Sequence, residues 1–267
     1  MPRLKDICIL KLGGSAITFK NLKPPRTNTA LLERVTQELT SYPGRFLIVL
    51  GGGAHGHQAA ARFGYGDPET PMSEILSGIP HIRHNMSTLA QEVETCFNRF
   101  DLDAVVHPPF CSVLLRSSEI EDYPLILYKK SLDSGLTIIT HGDVCFDLER
   151  GASILSGDTI VTYLTQKLKP KMVLIGTDVD GVYRGDPRTN PNATFVPQMD
   201  KSNTDDILRH AGPSGNIDVT GGMKTKLEAL VGIARHTGKL AVFNLTVPGR
   251  LHDLLHGNET KCTTIID

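Results

Sequence analysis

Residues 48–64 read IVLGGGAHGHQAAARFG. An apolar run from Phe46 to Leu50 feeds into three consecutive glycines, Gly51 to Gly53. Two histidines, His55 and His57, follow, and a run of alanines leads away. That order is strand, Gly-rich turn, helix start. Backbone N–H groups at a helix N-terminus favour an anion, and glycine lets the anion come close to the backbone. The turn therefore reads as a phosphate site, while the histidines need a separate explanation.

Working outward, short β-branched or apolar runs recur at DICILKL, RFLIVL, DAVVHPP, LTIITHG, KMVLIGTDVDGVY and KLAVFNL, with helix-like segments between several of them. NTALLERVTQELTSY places Leu31, Leu32, Val35 and Leu39 on one helical face. HIRHNMSTLAQEVETCFNRF does the same with Ile82, Met86, Leu89, Val93 and Phe97. This alternation predicts an α/β protein with a mainly parallel central sheet and helices on both faces. The stretches FKNLKPPRTN, GYGDPETPMSEILSGIP and RGDPRTNPNATFVPQMD are rich in Pro, Asn, Asp and Gly, and are expected to be loops on the surface or over a site. The chain reads as a single domain of residues 1–267, with an approximate lobe boundary after KLKPK that gives lobes 1–170 and 171–267.

With 267 residues, 40% hydrophobic and 21% charged, the chain can bury a large core. Its 28 Lys and Arg against 29 Asp and Glu give a formal net charge of -1, so no global positive field attracts nucleic acid or an anionic membrane. Any anion site must be local. The opening MPRLKDICILKLGGS has charges interrupting its apolar run and reads as neither a secretory signal nor a membrane span. Five scattered cysteines (Cys8, Cys96, Cys111, Cys145, Cys262) lack zinc-site spacing and read as core thiols of a cytoplasmic protein.

Four glycine-containing turns adjoin strands: KLGGSAITFK (11–20), GGGAHGH (51–57), SGDTI (156–160) and DVTGGMKTK (218–226). Together they suggest a polyanionic substrate spread across the carboxyl ends of several strands. There is no GxxxxGK[ST], which excludes a P-loop enzyme. Residues 51–56 formally satisfy GxGxxG, yet no acidic residue ends a strand about 20 positions on, so the dinucleotide reading is set aside.

The ordered set LKLGGSAITFK, GGGAHGH, HGDV with SGD, TDVDGVY and DVTGGMKTK resembles the amino acid kinase superfamily, and within it the isopentenyl phosphate kinases, from about residue 7 to about 266. The resemblance implies an αβα sandwich, ATP and Mg²⁺ as nucleotide and cofactor, isopentenyl phosphate as acceptor, and a homodimer. It makes Lys11 and Lys20 contacts of the transferring phosphoryl group, and Gly13, Gly14 and Ser15 its cradle. Gly52 and Gly53 form the turn where acceptor and ATP phosphates meet, and His57 binds the acceptor phosphate. Gly157 and Asp158 lie near that phosphate and the lysines; Thr177 and Asp178 lie in the nucleotide lobe, and Gly222 and Lys226 beside the ATP phosphates. No protein metal ligands are implied. The pattern departs from the family at Leu50, where a histidine is usual, and at His55, where an aromatic residue is usual, so His55 reads as packing.

Blander readings accompany these roles. Asp158 could cap a helix at SGDTIVTYLTQKL, Asp180 before Gly181 could only shape a turn, and Lys224 reads as a solvated lysine. Other acceptors, a phosphonate as in fosfomycin-resistance kinases or a carboxylate, form one rival, and a non-catalytic nucleotide sensor on the same fold forms another.

Overall fold

The structure is a computed structural model that describes residues 6–19, 22–67, 69–210 and 222–267. Lys20 and the first four residues of the DVTGGMKTK turn, Asp218 to Gly221, thus lie outside the described residues.

Among the described residues the central sheet has eight strands. Their order across the sheet is β14 (Gln198–Met199), β16 (Cys262–Ile265), β15 (Leu240–Asn244), β11 (Met172–Thr177), β1 (Ile7–Leu12), β4 (Arg45–Leu50), β8 (Thr137–His141) and β5 (Ala104–Val106). All neighbours pair in parallel except β15 with β16. The central strand β1 is buried on both faces, which explains the apolar run Ile7–Leu10 that only Lys11 interrupts before Leu12. A second sheet runs β10 (Gly151–Leu155), β9 (Asp143–Asp147), β6 (Leu114–Arg116), β7 (Glu119–Asp122), and two small ribbons pair β2 (Thr18–Phe19) with β3 (Arg26–Thr27) and β12 (Val182–Arg184) with β13 (Thr194–Val196).

Helices cover both faces, as the alternation predicts. Cys8, Leu10 and Leu12 pack with α2 (Thr29–Thr40), α4 (Met72–Arg99) and α9 (Arg250–His256), beside α1 (Gly14–Ile17) and α3 (Gly53–Arg62). Ile7 and Ile9 face the layer that holds α5 (Ile126–Asp133), α6 (Gly157–Leu168), α7 (Thr204–His210) and α8 (Gly222–Ile233). Asn28 starts α2 by accepting from Leu31 N–H at 3.3 Å, and the faces read from the sequence in α2 and α4 are the buried ones.

Two loop expectations need correction. GYGDPETPMSEILSGIP is helical from Met72, and α4 runs 28 residues with Pro80 inside it. Proline removes one helical hydrogen bond, but packing fixes both sides: Gly78 lies against Phe63 and Tyr65, and Ile82, Met86, Leu89, Val93 and Phe97 are buried. RGDPRTNPNATFVPQMD contributes β13 and β14.

Because β5, β8, β4, β1, β11 and β15 point the same way, Leu12, Leu50, His141 and Thr177 end at one edge of the sheet. The ladder carries into the turns there: Gly51 N–H donates to Leu12 O (2.9 Å), Gly142 N–H to Leu50 O (2.9 Å) and Gly13 N–H to Gly176 O (2.8 Å). The two glycine turns after β1 and β4 touch, for a Cβ on Gly14 would sit 2.2 Å from Gly53 N.

Gly14→Ala therefore drives a methyl into backbone, an overpacking that costs about 1–3 kcal/mol. In Gly232→Ala, on α8, the added Cβ meets nothing within 4 Å, and the change should stabilise by about 0.5–1 kcal/mol. Thermal unfolding should show the first variant melting below wild type and the second above it. A Gly14→Ala protein that melts with wild type would contradict the contact.

Candidate active site

The two turns are held as one piece. Gly53 has φ +49, a conformation that side chains disfavour, and a Cβ there would meet Thr18 Oγ1 at 2.3 Å and Gly14 O at 2.7 Å. The Thr18 hydroxyl donates to Gly14 O (2.7 Å) and accepts from Ala54 N–H (3.0 Å), so it staples α1 to α3. Gly52, the capping residue of α3, has no side chain to offer the helix, so beyond the Ala54 N–H that Thr18 takes, the first N–H groups are left to a ligand. This is an anion cradle in the physical sense: bare backbone donors, no Cβ in the way, and the positive end of a helix.

Lys11 enters from beneath. It is the next-to-last residue of β1, and its Nζ lies 2.5 Å from Asp158 Oδ1, with side chains 12% and 21% exposed. Asp158 sits in the first turn of α6, where the helix dipole favours a carboxylate. It does not cap that helix; Ser156 does, its hydroxyl accepting from Thr159 N–H at 3.0 Å. The bland reading of Asp158 is thus answered by its neighbour, and its carboxylate is turned to the lysine. Gly157 lies over the same spot, since a Cβ there would approach Leu50 O at 3.2 Å and Lys11 Cε at 3.6 Å.

On the other flank, Ser15 Oγ donates to Asp178 Oδ1 (2.9 Å), and Arg188 Nη2 donates to the same oxygen (2.7 Å). This joins the first turn to the end of β11 and brings the 184–200 segment over the site. Thr177 spends its hydroxyl locally, donating to Val179 O at 2.8 Å. Asp180 is bound by Lys261 (2.7 Å), Arg250 (2.7 Å) and Asn244 (3.3 Å); Lys261 first, then Arg250 and Asn244, hold its carboxyl down at about 2. It ties the loop after β11 to β15, α9 and the approach to β16.

The remaining expected residues are placed as follows. His57 is exposed on α3, one turn beyond Gly53, while His55 is buried and its imidazole is pushed below its ordinary pKa by that burial. Asn85 Nδ2 on α4 donates to His55 O at 3.2 Å, and Met86 Sδ lies 3.7 and 3.1 Å from Cβ positions on Gly52 and Gly56. Lys226 is half-buried on α8, while Lys224 is exposed and reaches Glu228 at 3.9 Å. Gly222 opens α8. Lys20 lies outside the described residues.

A family model described as the amino acid kinase family matches residues 6–244. The chain belongs to the amino acid kinase family. It is 30% identical over 263 residues to the isopentenyl phosphate kinase of Methanothermobacter thermautotrophicus, covering 96% of this chain and 98% of that one. It is 32% identical over 261 residues to the isopentenyl phosphate kinase of Thermoplasma acidophilum, covering 97% and 99%. An isopentenyl phosphate kinase solved by X-ray diffraction superposes with a TM-score of 0.84 at 28% identity, covering 97% of this chain and 99% of that one.

Reading the sequence of this amino acid kinase missed Thr18 and Arg188. Thr18 lies inside a motif already singled out, four residues after Gly14, a spacing at which a threonine hydroxyl reaches back to a carbonyl. Arg188 carries no such signal.

The Asp180 cluster yields a pH prediction. Folded, Asp180 stays ionised down to about pH 2, while unfolded it protonates near 3.8. Its stabilisation is complete above about pH 4 and is lost as the pH falls toward 2. Asp180→Asn should cost about 1 kcal/mol at pH 7, allowing for solvent screening, and the gap from wild type should narrow below pH 3. Denaturant titrations at both pH values measure this, and an unchanging gap would contradict it.

Proposed function

We propose that this kinase transfers the γ-phosphoryl group of ATP to isopentenyl phosphate, giving isopentenyl diphosphate and ADP for isoprenoid synthesis. The observation that carries transfer, rather than binding alone, is the Lys11–Asp158 pair at 2.5 Å beside the joined glycine turns. A sensor that only binds nucleotide need not keep a lysine and carboxylate paired at that point. The acceptor is supported by likeness to isopentenyl phosphate kinases along nearly the whole length of both chains.

Phosphoryl transfer passes through a loose transition state with charge spread over the moving group, so positioned cations do most of the work. Lys11, held by Asp158, is placed to follow that charge, and Lys20 and Lys226 are assigned as its companions. The N–H groups of Gly14 and Ser15 and of Gly52 and Gly53 take the phosphate oxygens, Gly13 N–H being held by Gly176 O. The acceptor, a phosphate monoester with a second pKa near ~6, is largely ionised at neutral pH and attacks without a strong base. His57, exposed on α3, then needs only to donate a hydrogen bond to it.

Mg²⁺ fits this site as a companion of the nucleotide. Among the described residues no three His, Cys, Asp or Glu gather into a cage, and Mg²⁺ draws most of its ligands from phosphates and water. Asp178 and Ser15, joined at the edge of the first turn, offer it oxygen. When bound it neutralises developing phosphate charge.

In this reading residues 1–170 hold the acceptor and 171–267 the nucleotide, the protein works in the cytoplasm, and it acts as a homodimer. Among the described residues no helix is long and apolar enough to cross a membrane.

An ADP-release assay with Mg-ATP tests the proposal against isopentenyl phosphate, fosfomycin, acetylglutamate and glutamate. Isopentenyl phosphate should be turned over well and the others poorly. Lys11→Met should lower kcat about 10²–10³-fold, the scale for removing one group that stabilises a transition-state charge, and His57→Ala should raise the KM of the acceptor but not of ATP. Preference for another acceptor, or binding of ATP without ADP release, would overturn the reading.

A further inference from the structure

The transfer chemistry above makes no use of His141–Gly142–Asp143, the turn after β8, yet a buried charged cluster is built on it. The Asp143 and His141 side chains are fully buried, and Arg83, reaching in from α4, is 18% exposed. Arg83 Nη1 donates to Asp143 Oδ2, Val144 N–H donates to Asp143 Oδ1 (2.9 Å), and the guanidinium stands 5.3 Å from the centre of the Phe110 ring. His141 Nδ1 donates to Gly142 O (3.0 Å) and lies 3.6 Å from Asp143 Oδ2, while its Nε2 is buried without a partner. Burial pushes the Asp143 carboxyl up to about 7 despite the adjacent guanidinium, and lowers the His141 imidazole to about 4, so the ring is neutral at pH 7.

Stability is a poor reason for such a cluster, because a buried ion pair is at best about as stabilising as an apolar pair of the same volume. Geometry is a better one. Gly142 N–H holds Leu50 O at 2.9 Å, and a Cβ on Gly142 would sit 3.2 Å from Gly157 N. Gly157 in turn covers Lys11 and precedes Asp158. From the same stretch of α4, Asn85 holds the carbonyl of His55, and Met86 abuts Gly52 and Gly56. About one turn of a single helix, Arg83 to Met86, is thus linked through the turn after β8 to the Lys11–Asp158 pair and directly to the helix that carries His57.

We infer that Arg83 and Asp143 are positioning residues: their buried pair locks α4 to the turn after β8, and so sets the spacing between the Lys11–Asp158 pair and His57. The inference rests on the assignment of those groups to the transfer reaction. It requires that loosening the pair misaligns the two phosphates, which shows in kcat, while the nucleotide flank at Ser15 and Asp178 is untouched.

Arg83→Met should lower kcat at least about tenfold, the scale of a misplacement under 1 Å, with the KM of ATP within about twofold of wild type. Arg83→Lys supplies the single hydrogen bond that Asp143 Oδ2 needs and should recover most of the loss. Because a lone Met beside a buried carboxylate can unfold the protein, the double variant Arg83→Met/Asp143→Leu is made as well; it should regain melting temperature but not kcat. A double variant with wild-type melting and wild-type kcat, or Lys and Met variants of equal activity, overturns the inference. If wild type itself ignores isopentenyl phosphate, the functional reading fails, and the inference is then judged by hydrogen exchange of the folded Arg83→Lys and double variants. It predicts that the double variant exchanges faster at 51–57 and 141–158 but not at 240–255, with Arg83→Lys like wild type. Uniform change, or none, overturns it.

Discussion

Two backbones in contact with no side chain between them set the terms for everything else in this site. Gly14 and Gly53 approach so closely that one methyl would overlap a peptide nitrogen. The contact is possible because β1 and β4 are neighbours in register, Leu12 beside Leu50, and each strand is followed directly by glycine. Thr18 then bridges the turns through one hydroxyl. Where two strands release their chains side by side and the glycine turns touch, Lys11, a residue before the end of β1, comes to the same edge, and this is the arrangement proposed to hold a phosphate.

Three ion pairs around this edge differ in kind, and burial explains how. Lys11–Asp158 is partly open, which leaves the lysine room to turn to a phosphate. Asp180 gathers Lys261, Arg250 and Asn244 into a brace with a depressed carboxyl pKa that binds loops together. Asp143 is shut away with Arg83, its carboxyl pKa raised by desolvation, and what it contributes is direction rather than charge. A common chemistry of carboxylate and cation thus differs in character from pair to pair according to how much water each keeps.

Much of this was legible in the sequence. The buried strands β1, β4, β8, β11 and β15 announce themselves as apolar runs, and α2 shows both its cap and its face. The glycine turns betray the site because few residues other than glycine allow such an approach. What stayed hidden is long-range or tertiary. Pro80 suggests a break, and only packing of Gly78 and the Ile82–Phe97 face keeps α4 continuous. The short strands β6, β7 and β14 lack the length that makes a pattern. Arg83 and Asp143 are 60 positions apart and Ser15 and Asp178 163 apart, so nothing local pairs them. The turn containing Lys20 is outside the described residues.

The most direct test of the central claim is a crystal structure with isopentenyl phosphate and a non-hydrolysable ATP analogue bound together. The account predicts the terminal nucleotide phosphate over the joined Gly13–Ser15 and Gly52–Gly53 turns, Lys11 turned onto it, and the acceptor phosphate on the His57 side. Phosphates bound elsewhere, or Lys11 still closed on Asp158 and out of reach of both, would contradict it.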